Sequence, residues 1–151
     1  MLRVSKKLVF ATEAVLDIAY HAGSTPVQSG QITARQGIPR RYLEPVLQQL
    51  VRTGILAGVR GPRGGYRLAR DRRQIVVGDI VRAIGAMETE GEGFEDSAGS
   101  ALGQGVIKPL WADITNEFMK RLDEITIEQL CARARAAGIE AEADRDVDFV
   151  I

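Results

Sequence analysis

At 151 residues, with 45% hydrophobic and 26% charged residues, the chain has the makings of one soluble globular domain with a modest core. Its apolar runs fall short of the ~18 residues of a membrane span, MLRVSKKLVF lacks an export signal, and a lone cysteine, Cys131, excludes an internal disulfide and fits a reducing cytoplasm. The net charge of zero divides unevenly: residues 1–82 hold 14 Lys and Arg against 5 acids (14 − 5 = +9) and the remainder 6 against 15 (6 − 15 = −9), which points to a basic half facing nucleic acid.

The first predicted helix covers 6–22, capped by Ser5 and stopped by Gly23, with Leu8, Ala11, Val15, Ile18, Ala19 and Ala22 at helical spacing. A short helix over 29–36 ends at Gly37. A third runs over 40–53 to a C-terminal cap at Gly54, with Tyr42, Leu43, Val46, Leu47, Leu50 and Val51 on its apolar face. Pro45 is tolerated near a helix start and costly deeper inside, so the regular helix is expected to begin near Arg41–Tyr42. Two short helices around a glycine turn form a helix-turn-helix pattern.

ILAGV and YRLA then flank RGPRGG, the signature of a two-stranded hairpin with a long tip, or wing. Residues 75–86 read as a short apolar strand or lead-in followed by a helix. Residues 87–105, rich in glycine, serine and acid, read as a linker; a hard-cation site on Glu88, Glu90, Glu92, Glu95 and Asp96 fits no known ligand spacing. From Lys108 a long helix carries Leu110, Trp111, Ile114, Phe118, Leu122 and Ile125 as an apolar stripe of roughly 25 Å. So short a chain has little core left to cover that stripe, which makes a second copy the expected cover. Thr126 and Gln129 form a capping box for a last helix, 127–137, closed by Gly138. The acidic tail, 139–151, is expected to be mobile or docked on a neighbour.

The order predicts a mainly α protein with a small β wing: a winged helix-turn-helix plus a long dimerisation helix. The expected division is 1–86 for the DNA-binding domain, 87–105 for the acidic loop, 106–138 for the dimerisation and C-terminal helices, and 139–151 for the tail. The start of the third helix would bring Arg40, Arg41, Tyr42, Glu44 and Gln48 into the major groove, where arginine reads guanine and glutamate accepts from cytosine. Lys6, Lys7 and Ser29 suit phosphate contacts that set register. In the wing, Gly61, Gly64 and Gly65 let the backbone turn tightly and approach DNA, with Arg60 and Arg63 entering a narrow minor groove and Pro62 counted with them in the DNA-binding tip.

Three separated stretches, QGIPRRYLEPVLQQL (36–50), GIL (54–56) and VRGPRGGYRL (59–68), resemble the Rrf-two family of bacterial winged-helix regulators, as do VGDIVRAI (77–84), LWADI (110–114) and ITIEQL (125–130). The resemblance implies a homodimer paired through the long helix and a near-palindromic double-stranded DNA operator. By position, it makes Arg41, Tyr42 and Glu44 base-reading candidates and Arg60 the minor-groove anchor. Members that hold an iron–sulfur cluster do so through cysteines before the long helix; counting back from Trp111 in their steps of six gives Gly105, Gly99 and Gly93 here. Glycine ligates nothing. No cluster, other cofactor or metal is therefore expected.

Cys131 is read as a small core residue, with a redox-sensing thiol as the sharper alternative. His21 is read as a helix C-terminal residue interacting with the dipole. A ligand pocket between the long helix and the DNA-binding domain is the alternative reading of Trp111 and Phe118. No histidine–nucleophile pair, phosphate loop or metal constellation occurs, so the chain reads as no enzyme. Its expected role is a cytoplasmic, sequence-specific regulator, in the first instance a repressor, with no residue pattern that names an effector. The alternative is a winged-helix protein-interaction module with only non-specific DNA binding.

Overall fold

A computed structural model describes residues 4–88 and 99–142. Its elements are α1 (Lys6–Tyr20), α2 (Ser29–Gln36), α3 (Arg40–Arg52), β1 (Leu56–Val59), β2 (Gly65–Leu68), α4 (Val77–Glu88), α5 (Lys108–Asp123) and α6 (Ile127–Ala136). This is the predicted winged helix-turn-helix followed by a long helix.

α1 runs through the middle of the core. Ala11, Ala14, Val15, Ile18 and Ala19 are all buried, and small side chains let α3, α4 and α6 pack closely around it. Ile32 of α2, Leu43, Leu47 and Leu50 of α3, and Ile80 and Ile84 of α4 fill the same core. Each such residue contributes about 1.5–3 kcal/mol. Ile127 and Cys131 of α6 lie there too. So α6, grouped by sequence with the dimerisation helix, packs with the N-terminal helices.

Helix ends follow local chemistry. The Ser5 hydroxyl accepts from Leu8 N–H at 3.2 Å, and Thr126 and Gln129 cap each other reciprocally at 3.1 Å. α3 ends in a Schellman turn: Gly54, at φ +79°, donates to Val51, and Ile55 donates to Leu50. Gly138 closes α6 in the same way. α1 stops at Tyr20, short of Gly23, with the His21 N–H making its last helical bond to the Asp17 carbonyl.

Three expectations change. α3 begins at Arg40 with Pro39 as its cap, so Pro45 sits in the second turn. Proline has no N–H to give the Arg41 carbonyl, and the helix tolerates the loss because Pro45 and Arg41 both face solvent. The linker is shorter than expected: α4 extends through Met87 to Glu88, and helical backbone resumes at Ala101, leading through a π-helical turn, Gly103–Ile107, into α5. The start of the tail returns onto its own chain, placing Ala141 in the core.

The wing pairs Leu56 with Leu68 through Val59 with Gly65, antiparallel. Its base is tied to the segment before α2, where Val27 and Tyr66 exchange backbone hydrogen bonds of 3.0 and 2.7 Å. Two wing glycines read as clearance for DNA are required by the protein itself. A Cβ on Gly65 would stand 2.4 Å from the Val27 carbonyl oxygen, and one on Gly64 2.2 Å from that of Val59. Gly65→Ala is accordingly expected to detach the wing at a cost of about 2 kcal/mol or more. Calorimetry, with amide exchange at Val27 and Tyr66, checks this.

Candidate nucleic-acid interface

Arg40, Glu44 and Gln48 follow one another at four-residue spacing along the exposed ridge of α3, with Arg41 beside them. Arg40 Nε and Glu44 Oε1 pair at 3.1 Å, which orients both side chains and partly neutralises them. Arg41 lies over the Tyr42 ring, 4.8 Å from its centroid, and donates to the Tyr42 hydroxyl at 3.2 Å. The Tyr42 ring rests in turn against Phe10 of α1, centroids 6.5 Å apart. A guanidinium held on an aromatic face retains its charge and outward donors while losing side-chain freedom.

Lys6, Lys7, Phe10, Pro39 and Tyr42 line one cleft of about 360 Å³. The fold thus brings the two lysines at the start of α1 to the start of α3. Phe10 and Pro39 were missed in the sequence because each looks like ordinary core. Ser29 is the half-buried first residue of α2, next to its cap Gln28. Arg60, Gly61, Pro62 and Arg63 are all exposed at the wing tip, where neither arginine pairs with a described acid. The tip-side half of the wing, Gly58, Val59, Arg60, Gly65 and Tyr66, shares a groove with Val51 at the far end of α3.

Not all of the positive charge is outward-facing. Arg35 pairs with Asp17 and Glu142, Arg70 with Asp79, Arg72 with Glu128, and Arg82 with Asp79 and Asp123. These four arginines tie elements together. The hydrogen bonding of Arg35 to the Asp17 carboxylate is the main reason its guanidinium holds its proton more firmly than usual.

The apolar stripe of α5 has no fully buried residue: Leu110, Trp111, Ile114 and Phe118 are 40–58% exposed, while Leu122 and Ile125 are half-buried near the body. An apolar groove of about 290 Å³ continues the stripe onto α1 and α4, lined by Val4, Leu8, Val9, Val77, Val81, Phe118 and Leu122.

A family model described as "Rrf2: Iron-dependent Transcriptional regulator" matches residues 4–133. The chain belongs to the Rrf2 family. It is 33% identical over 147 residues to the HTH-type transcriptional regulator IscR of Sodalis glossinidius, covering 96% of this chain and 88% of that one. Among solved structures it resembles T. potens IscR, with TM-score 0.71, 35% identity and 90% of each chain covered. It also resembles CymR, the global cysteine regulator of B. subtilis, with TM-score 0.68, 26% identity, and 88% and 98% covered. Rrf2 proteins are DNA-binding transcriptional regulators and not enzymes, and so is this chain. No described helix is long and apolar enough to cross a membrane.

The residues present do not fit a thiolate-held iron site. The single cysteine, Cys131, is buried in the core. Gly105 forms part of the π-helical turn, Gly99 precedes it, and Gly93 and residues 90–96 lie outside the described residues. Among the described residues no three of His, Cys, Asp and Glu gather as metal ligands.

Burial pushes the Cys131 thiol up, and the pull of Arg72 and Arg135 does not reverse it. A thiolate is therefore disfavoured where a redox thiol needs one. Iodoacetamide is expected to label Cys131 in the folded protein at least ~10²-fold more slowly than in denaturant. Because the fold favours the protonated thiol, this stabilisation is complete below the ordinary thiol range and lost as pH rises through the raised value.

Proposed function

We propose that the protein is a cytoplasmic, homodimeric, sequence-specific regulator that represses by occupying a near-palindromic operator and works without an iron–sulfur cluster. The exposed stripe of α5 carries the dimer reading. A contiguous apolar surface of that kind, continued by the groove on α1 and α4, is what a partner covers. Two copies would then present two α3 helices and two wings, as a two-fold DNA site requires.

Within each half, Arg41, Glu44 and Gln48 read bases, with Arg40 steering Glu44 and Tyr42 seating Arg41. Lys6, Lys7 and Ser29 hold phosphates, and Arg60 and Arg63, borne by the Gly61–Pro62 tip, enter the minor groove. The preset Arg40–Glu44 and Arg41–Tyr42 pairs support this reading, because side chains ordered before binding lose less entropy on binding.

The test is fluorescence anisotropy on DNA from upstream of the protein's own gene, against a scrambled duplex, at two salt concentrations. The wild type is expected to prefer the former by at least ~10³-fold. An Arg41→Ala, Arg60→Ala variant is expected to lose that preference while keeping its melting temperature, since both arginines are exposed. Equal, steeply salt-dependent binding to both duplexes would reject specific recognition and favour a protein-interaction module.

A further inference from the structure

The segment after α6 folds back over the corner where α1 meets α2. The Tyr20 hydroxyl donates to the Ile139 carbonyl. Ala141 is 6% exposed, inserted into the core. Glu142 N–H donates to His21 Nδ1 at 3.0 Å, and Glu142 Oε2 meets Arg35 Nη1 at 2.7 Å. The other two nitrogens of that guanidinium grip the wholly buried Asp17, Nε to Oδ2 at 2.9 Å and Nη2 to Oδ1 at 2.7 Å. Gln36 adds a third donor to Asp17 at 2.8 Å.

Arg35 and Gln36 form the last turn of α2, which has eight residues and buries only Ile32 fully. A helix that short does not hold itself in place in water. Its position depends on tertiary ties at its C-terminal end, immediately before the Gly37 turn that aims α3. Arg35 uses every nitrogen for this purpose: two towards Asp17 of α1 and one towards Glu142 in the segment after α6.

We propose that residues 139–142 are a latch, and that Arg35 and Glu142 are positioning residues that fix the angle of α2 and, through it, the entry of α3 into the major groove. This rests on the DNA-binding reading above. Glu142 is partly exposed, so its ion pair adds little to global stability. What it sets is the orientation of the helix-turn-helix, and specific contacts depend on orientation far more than phosphate attraction does.

Two variants separate this from general stabilisation. Glu142→Gln keeps the side-chain shape and the backbone bond to His21 but removes the charge. A chain ending at Gly138 removes the latch whole. Each is compared with the wild type by amide exchange along residues 29–36, by melting temperature, and by anisotropy on upstream and scrambled DNA.

In Glu142→Gln, exchange in α2 is expected to rise by about 5-fold, with the melting temperature within about 2 °C of wild type. Preference for the upstream duplex is expected to fall by about 5-fold, and affinity for the scrambled duplex and the salt slope to stay the same. The truncated chain should show the same pattern, enlarged. Unchanged α2 exchange in both variants overturns the latch. So does faster exchange without loss of preference, a parallel loss on both duplexes, or loosening of every helix at once. Should the wild type itself prefer neither duplex, the DNA reading fails and the exchange result alone decides whether the latch exists.

Discussion

A variant carrying Ile114→Asp and Phe118→Asp is expected to be a folded monomer that binds its operator roughly 10³-fold more weakly than wild type. Both side chains project from α5 with 40% and 58% of their surface exposed, so neither supports the core of its own chain. In the proposed dimer each would be buried against the partner, where a carboxylate without a partner costs several kcal/mol. Losing the second half-site removes the effective concentration that links two weak contacts into a strong one, a gain of about 10²–10⁴. Light scattering after size exclusion reports the mass, and anisotropy the affinity. A folded dimer would place the interface elsewhere on the molecule.

Asp17→Ala should be among the most damaging single changes outside the apolar core. Asp17 is fully buried and receives three hydrogen bonds, two from Arg35 and one from Gln36. Removing Asp17 leaves the largely buried Arg35 charge with only the partly exposed Glu142 as its acidic partner, at about 3 kcal/mol. For a chain of this size that lowers the melting temperature by roughly 10 °C. Combining Asp17→Ala with Arg35→Leu should recover part of the loss, because the stranded charge goes too. Calorimetry of both single variants and the double checks the coupling. Additive losses would show that the pair is not coupled.

Sequence alone was a good guide wherever the determinants are local. Ser5, Gly54, Gly138 and the Thr126–Gln129 box act within one turn of chain, and each cap forms as its spacing implies. The hairpin was legible from its glycine-rich tip, and the stripe on α5 from its period. Asp17 was not, because on a helical wheel it is one polar residue, and only the arrival of Arg35 from another helix makes burial tolerable. For the same reason Arg35, Arg70, Arg72 and Arg82 looked like part of a DNA-facing charge and prove to be fasteners. Phe10 and Pro39 belong to the cleft at the start of α3, yet nothing in their neighbourhood along the chain distinguishes them from core. Gly64 and Gly65 were recognised as special, but the backbone that crowds them comes from Val59 and, for Gly65, from Val27, nearly forty residues earlier.

α5 is fastened to the body at its C-terminal end. Arg82 pairs with Asp123, Val77 N–H donates to the Ile125 carbonyl at 2.9 Å, and Gly78 leaves room where a Cβ would stand 1.8 Å from Asp123 Oδ1. The 16-residue helix is then a cantilever about 24 Å long with its root at Asp123. A tilt of about 5° at that root moves the free end by about 2 Å. In the proposed dimer, such a tilt would change the spacing between two reading heads that must match DNA half-sites about 34 Å apart. Gly78 therefore acts as a shim. The width of one missing methyl group sets how closely the root of α5 seats against α4.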